Sequence, residues 1–381
     1  MKIGILTLPL ETNYGGILQA FALQRVLCKM GHDVMTIDRH QRKQYKSFLV
    51  HIAGYTKRVF MHYVMHKSVP TAWNPFISDI EFKILSANTR NYAERNIRMT
   101  RPVFSDQLEE IENEYQFDAY VVGSDQVWLE YYCPASFLDF VKRTDVKRII
   151  YAASCGKKSF FKNSIKVAQC KKLAKQFIGI SVREKALVEK CKRKLDIDVQ
   201  WVLDPTMLLS RDEYLESIKG LKSEKPCIFS YILDPDAAKD AIVSYIEKSF
   251  NLPTANGNSR GTVYVKGRRI PAEERVFPPV ESWLSNLNRA AFVITDSFHG
   301  AVFSILFNKQ FLVIGNEKRG IERFRSLLSL FDLESRLITS KDIDKIPLLV
   351  NNKIDYEIVN SILEAKRYDS IMFLKRCINE K

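Results

Sequence analysis

The chain has 381 residues, about two and a half times the usual single-domain size, and its 46% hydrophobic and 27% charged residues are ordinary for a globular protein. Disorder and collagen-like repeats are thereby excluded, and no apolar run approaches the ~18–20 residues of a spanning helix. A net charge of +14, from 58 Lys+Arg against 44 Asp+Glu, points to anionic partners: nucleic acid, anionic lipid or phosphorylated small molecules.

The opening, MKIGILTLPLETNYGG, lacks the small-residue cleavage site of a secretory leader and reads as a first strand, with the cytosol as default compartment. Residues 2–8 are that strand, 17–30 a helix stopped by Gly31, and 33–38 the next strand, together a βαβ unit. Residues 39–78 then hold no acid at all, but carry Arg39, Arg42, Lys43, Lys46, Lys57, Arg58 and Lys67. Phe48, Tyr55, Phe60 and Tyr63 lie among them, a mixture typical of membrane-surface segments. A core helix with a solvated basic face is the alternative.

Further strands are expected at 120–122, 148–153, 178–182 and 199–203, with helices at 164–176 and 184–191. A linker around Gly220 and Pro226 leads to a strand at 227–233 and a helix at 236–249. The stretch 251–279 reads mostly as loop, with a short strand at 262–266. A helix at 280–288, strands at 291–295 and 311–314, and helices at 301–307 and 356–376 complete the chain. Strands alternating with helices predict parallel sheets covered by helices, here two Rossmann-like α/β domains facing across a cleft. The expected division is 1–215, 216–355, and a last helix, 356–381, crossing back onto the first domain. Seven scattered cysteines form no CxxC pair and no metal spacing; they read as reduced, buried side chains.

Ligands of such sheets gather at the carboxyl ends of strands, so the turns there hold the candidates. Asn13, Tyr14, Gly15 and Gly16 follow the first strand; they match neither GxGxxG nor the P-loop, and either admit a ligand or only form a tight turn. Ser124 and Asp125 follow the third expected strand. Arg183 ends an apolar strand and suits bidentate recognition of carboxylate or phosphate, unless it pairs with Glu184 or another carboxylate. Asp296-Ser297-Phe298-His299-Gly300 carries the sole histidine after residue 66. At a strand-to-helix turn its imidazole can serve as acid or base, with Asp296 to orient it; a simple cap is the alternative. Lys318, Arg319, Arg323 and Arg325 cluster after the next strand, where a bound anion would offset cations at a helix start.

These turns carry a resemblance. TNYGGILQAFAL, YVVGSDQVW, ISVREKAL, WVLDPTMLL, VESWLSNLNRAAFVITDSFHGAVFSILFNKQF and RGIERFRSLL are similar, in this order, to segments of the polysaccharide pyruvyl transferase family. The resemblance implies a glycosyltransferase-B-like domain pair and transfer of pyruvate from phosphoenolpyruvate, as a ketal, onto two sugar hydroxyls, with no metal or other cofactor. It puts the family's strand-end arginine on Arg183, its histidine on His299, and its basic donor residue on Lys318 or Arg319. Many members carry an arginine two residues before the histidine; here that position is Ser297, so Arg319 or Arg323 would replace the charge.

The expected assignment is therefore His299 and Asp296 for acid–base work, with Arg183, Lys318, Arg319, Arg323 and Ser297 at the donor. Asn13, Tyr14, Gly15, Gly16, Ser124 and Asp125 are expected at the acceptor. The expected acceptor is a polyprenyl-diphosphate-linked saccharide of bacterial surface polysaccharide, reached by peripheral binding of 39–78 to the inner face of the membrane, with no role for nucleic acid. A nucleotide-sugar glycosyltransferase of the same fold and a non-catalytic polyanion binder are the alternatives.

Overall fold

The computed structural model describes residues 1–41, 54–57, 59–61, 64–65, 78–156, 159–219, 225–258, 264–265, 268–315, 320–339 and 342–379. Most of the basic segment, together with Lys318 and Arg319, lies outside the described residues.

Two parallel sheets organise the chain. The first has six strands in the order Asp33–Thr36, Lys2–Leu6, Ala119–Val122, Lys147–Ala153, Gly179–Val182, Gln200–Trp201. The second has five, in the order Thr254–Asn256, Cys227–Tyr231, Ala290–Thr295, Gln310–Ile314, Leu337–Ile338. Both are parallel throughout. Their central strands are buried along nearly their whole length, as in AYVV and CIFSY. This is why they read as continuous apolar runs rather than alternating ones. In each sheet the strand order reverses beside the strand that comes first in the sequence. The switch points therefore lie between Lys2–Leu6 and Ala119–Val122, and between Cys227–Tyr231 and Ala290–Thr295.

The helix Tyr14–Lys29 buries thirteen of its sixteen residues. One face lies under the first sheet, and its first turn reaches the second half. Tyr14 stacks on Trp283 (centroids 5.8 Å apart), meets Tyr231 and Phe277 edge-on, and donates a 2.7 Å hydrogen bond to the carbonyl of Pro278. A single apolar cluster runs from Ile3 and Phe21 through this helix to Phe229, Trp283 and Phe303.

The helix Tyr356–Asn379 follows the second sheet but packs on the first. Ser370 Oγ accepts from the Leu203 amide at 3.0 Å, Arg367 Nε donates to the Met207 carbonyl at 2.8 Å, and Lys147 Nζ donates to the Ile378 carbonyl at 2.7 Å.

Among the elements that differ from the expectations, three bear on the site and its sheets. The helix Asp79–Asn96 stands where none was assigned; a reciprocal cap between Ser78 and Glu81 starts it, but its buried face mixes Leu85, Tyr92 and Ala93 with Ser86 and Thr89. Thr254–Asn256 forms an edge strand inside the expected loop. The helix after Thr295 starts at Phe298, not 301, because Ser297 caps it.

Candidate active site

The carboxyl ends of the first sheet converge on a buried polar cluster. Backbone geometry sets one edge. Gly123 has φ +136°, and a Cβ there would lie 2.1 Å from the Tyr151 carbonyl oxygen, so no other residue fits. Asp125, two residues on, sits in the left-handed region at φ 66° and points one oxygen at Arg183.

Arg183, whose side chain is 1% exposed, has all its nitrogens engaged. Nη1 donates to Asp204 Oδ2 at 2.6 Å, Nη2 to Asp125 Oδ1 at 2.8 Å, and Nε to Glu184 Oε1 at 3.3 Å. Its guanidinium also lies 4.3 Å over the Phe298 ring, which belongs to the second half. Arg183, expected at the donor, is thus paired with three carboxylates and holds them together.

The remaining bonds make the cluster rigid. Asp204 Oδ1 accepts from Thr206 Oγ1 (2.7 Å) and the Thr206 amide, while Ser154 Oγ donates to Glu184 Oε1 at 2.6 Å. Asn13 Nδ2 donates to Asp125 Oδ2 at 3.2 Å. Ser124 is fully buried, with Oγ donating to the Ala152 carbonyl at 2.7 Å and lying 3.3 Å from Asp204 Oδ2. Expected at the acceptor, it supports the cluster through these bonds. Tyr14, expected at the acceptor, forms the interdomain anchor described above, its phenol pKa pushed well up by burial and by Tyr231. Gly16 contributes its carbonyl, which accepts from Gln19 Nε2 at 2.9 Å.

From the facing switch point comes His299, in the first turn of Phe298–Leu306. Its Nε2 lies 3.8 Å from Asp204 Oδ2, an electrostatic contact too long for a hydrogen bond, and is buried with no hydrogen-bond partner. Its Nδ1 packs against the start of the first helix so closely that a Cβ on Gly15 would lie 2.0 Å from it. The two helix N-termini meet at this point.

Asp296 does not orient His299. Its carboxylate accepts from the Leu233 and Asp234 amides at 2.6 and 3.1 Å and from Lys239 Nζ at 2.7 Å. It ties the two strands of its own switch point together, and Asp204 takes its expected place beside the histidine. Ser297 Oγ accepts from the Gly300 amide at 3.5 Å as a helix cap.

Burial opposes charge on every carboxylate here, but not with equal result. Arg183, His299 and Arg323 outweigh it at Asp125, whose pKa is lowered. At Asp204 burial is again outweighed, by His299 and Arg183, and the pKa falls well below the usual carboxylate range. At Glu184 burial wins and the pKa is raised. Arg323, in the helix Glu322–Leu328, is close enough to act on both Asp125 and Glu184. Arg325 instead pairs on the surface with Glu322 at 2.5 Å.

A family model described as "Polysaccharide pyruvyl transferase" matches residues 13–318, from the residue that touches Asp125 to the basic stretch before Arg323. The chain belongs to the polysaccharide pyruvyl transferase family. It is accordingly a transferase with a glycosyltransferase-B-like pair of α/β halves. No curated protein matches it by sequence.

Among solved structures, UDP-GlcNAc 2-epimerase from Neisseria meningitidis bound to UDP-GlcNAc is similar at 10% identity, with 100% of both chains covered and a TM-score of 0.54. S. aureus MnaA with UDP is similar at 13% identity over 100% of this chain and 95% of its own, with a TM-score of 0.52. At such identities the likeness is one of fold alone. The transferase's own residues must carry the chemistry, and the one that sequence reasoning missed is Asp204. Its signal was its place, at the end of the strand next to the one that delivers Arg183.

Proposed function

We propose that this transferase moves pyruvate from phosphoenolpyruvate onto two hydroxyls of a sugar as a ketal. The observation that carries the reading is His299 Nε2, buried, without a hydrogen bond and 3.8 Å from Asp204, in a chain of this family. An imidazole poised beside an ionised carboxylate can hold a proton in the transition state. Catalytic hydrogen bonds are often long without substrate and tighten when it binds.

The reaction adds a proton to the methylene carbon of the donor, leaving an oxocarbenium-like centre at C2. One sugar hydroxyl attacks that centre and loses its proton. Phosphate then departs with the C2–O bond, and the second hydroxyl closes the ring, so that donor and diol become ketal and inorganic phosphate. His299 exchanges the proton at the reacting centre. Asp204 stabilises the imidazolium, and Arg183 holds Asp204 and Asp125 ionised. Arg323, with Lys318 and Arg319, supplies charge for the donor's phosphate and carboxylate. Asn13 and Asp125, on the first half, face the acceptor.

The acceptor in this reading is a polyprenyl-diphosphate-linked saccharide of a bacterial surface polysaccharide. No described helix is long and apolar enough to cross a membrane, and residues 39–78 provide a peripheral, salt-sensitive contact with anionic lipid, where each cation is worth about 1 kcal/mol. Incubation with phosphoenolpyruvate and lipid-linked saccharides, followed by mass spectrometry, tests the reaction. A gain of pyruvate less water is expected; an unchanged saccharide with intact donor refutes it. Reversing the charge of Lys43, Lys46, Lys57 and Arg58 should release the protein from anionic liposomes without weakening donor binding.

A further inference from the structure

A second buried arginine lies outside this machinery. Arg39 is 2% exposed, yet among the described residues it has no carboxylate partner. Nε donates to Ser105 Oγ at 2.8 Å, the guanidinium lies 4.7 Å over the Tyr132 ring, and Nη1 is buried with no hydrogen bond. A buried donor left in this state costs roughly 1–3 kcal/mol, more when charged. Arg183, equally buried, has three carboxylates; Arg39 instead borders a cavity of about 310 Å³, also lined by Glu109, Tyr131, Tyr132 and Asp139. That volume is at the lower end for a small-molecule site.

The lining selects among ligands. A polyanion would meet Asp106, Glu109 and Asp139 as well as Arg39, whereas a ring rich in hydroxyls can donate to those carboxylates. Tyr131, half-exposed and 5.3 Å edge-on to Tyr132, offers an aromatic face. Tyr132 Oη accepts from Gln41 Nε2 at 2.5 Å and keeps its own proton to donate. Chain continuity links the cavity to the active site: the loop that carries Asp125 runs on to Tyr131 and Tyr132, and His40, next to Arg39, reaches Glu11 in the loop that leads to Asn13.

We propose that the Arg39 cavity is an acceptor subsite for a sugar ring bearing a single acid group, either a hexuronate or a sugar phosphate. The role as acceptor subsite rests on the transferase reading above; the binding itself does not. Titration calorimetry of the full chain without donor compares glucuronate, glucose 1-phosphate and glucose. At least one acid should bind about tenfold or more tightly than glucose, the worth of one charge-assisted hydrogen bond, and the tighter of the two identifies the source of the anion.

Arg39→Met should abolish that preference, leave phosphoenolpyruvate affinity unchanged, and melt close to the parent, since relief of a buried charge with Nη1 unbonded offsets the lost bond to Ser105. Tyr131→Ala, at a half-exposed position, should weaken all the sugars and serves if the arginine variant misfolds. Equal binding of glucose and both acids by the parent chain overturns the proposal. So does a preference that survives in Arg39→Met, or a loss of donor affinity there. Failure of pyruvyl transfer with intact acid preference would overturn the transferase reading and leave the site standing.

Discussion

In the proposed reaction the chemistry turns on the contact between His299 and Asp204, and their variants should behave differently. His299→Ala removes a proton carrier that sits at the edge of the cluster, and turnover should fall by about 10²–10⁴ with an unchanged circular dichroism spectrum. Near-parental turnover in a folded variant would remove the histidine from the mechanism. Asp204→Asn also leaves Arg183 short of a partner inside the protein. Breaking a buried ion pair from one side costs roughly 3–5 kcal/mol, so urea unfolding should show a large loss of stability as well as of activity. The histidine could be read from the sequence because it stands alone after a buried strand. Arg183 could be located but not interpreted: a strand end is visible in sequence, whereas the three carboxylates around it come from residues 125, 184 and 204 and meet only in the fold. Asp204 precedes a proline, and by itself that pattern signals a turn.

Between elements, the narrowest contact is the one between the helices Tyr14–Lys29 and Phe298–Leu306. Gly15→Ala would put a methyl group 2.0 Å from the His299 imidazole, so the ring must move. Overpacking of this kind costs about 1–3 kcal/mol, and misplacement of a catalytic group by an ångström can cost ~10² in rate. Steady-state kinetics should show turnover falling far more than the melting temperature does; equal tolerance of both would place the histidine elsewhere. A second junction, where the strand Asp33–Thr36 ends, depends on pH. Asp38 takes two bonds from Arg90 of the helix Asp79–Asn96 and lies 3.2 Å from His40, which also reaches Glu11. The carboxylates of Asp38 and Glu11 facing it, opposed by burial, raise the His40 pKa from 6.5 to about 9. Protonated His40 therefore stabilises the fold fully below pH 6.5, and the contribution disappears as pH rises through about 9. His40→Gln should lower the melting temperature at pH 6 and leave it nearly unchanged at pH 10; a deficit that is constant with pH would contradict the assignment. The strands here were legible because burial on both faces makes them apolar throughout. The helix Asp79–Asn96 was not, because Thr89 and Ser86 occupy its buried side and erase the apolar stripe, although the Ser78–Glu81 cap was written in the sequence.

Across the whole molecule, two sheets do not make two independent units. Domains usually meet over modest, rather polar interfaces and move against each other. Here the apolar cluster is continuous from Ile3 to Phe303, Tyr14 is inserted among Tyr231, Phe277 and Trp283, and the helix Tyr356–Asn379 returns to cover the first sheet. Separating the halves would expose that cluster to water at roughly 25 cal/mol for each Å² of apolar surface, and would leave the Pro278 carbonyl without its phenol donor. Neither half should therefore be stable alone. Scanning calorimetry of the full chain should give one transition with matching calorimetric and van't Hoff enthalpies, and a chain cut back to residues 1–215 should fail to fold cooperatively. Two resolved transitions would show that the halves are autonomous, and the donor could then enter by hinge opening. With a single transition, access to the buried His299 must come from local movement, and the helix Glu322–Leu328, whose Arg323 acts on Asp125 and Glu184, is where donor-dependent protection from hydrogen exchange should be greatest.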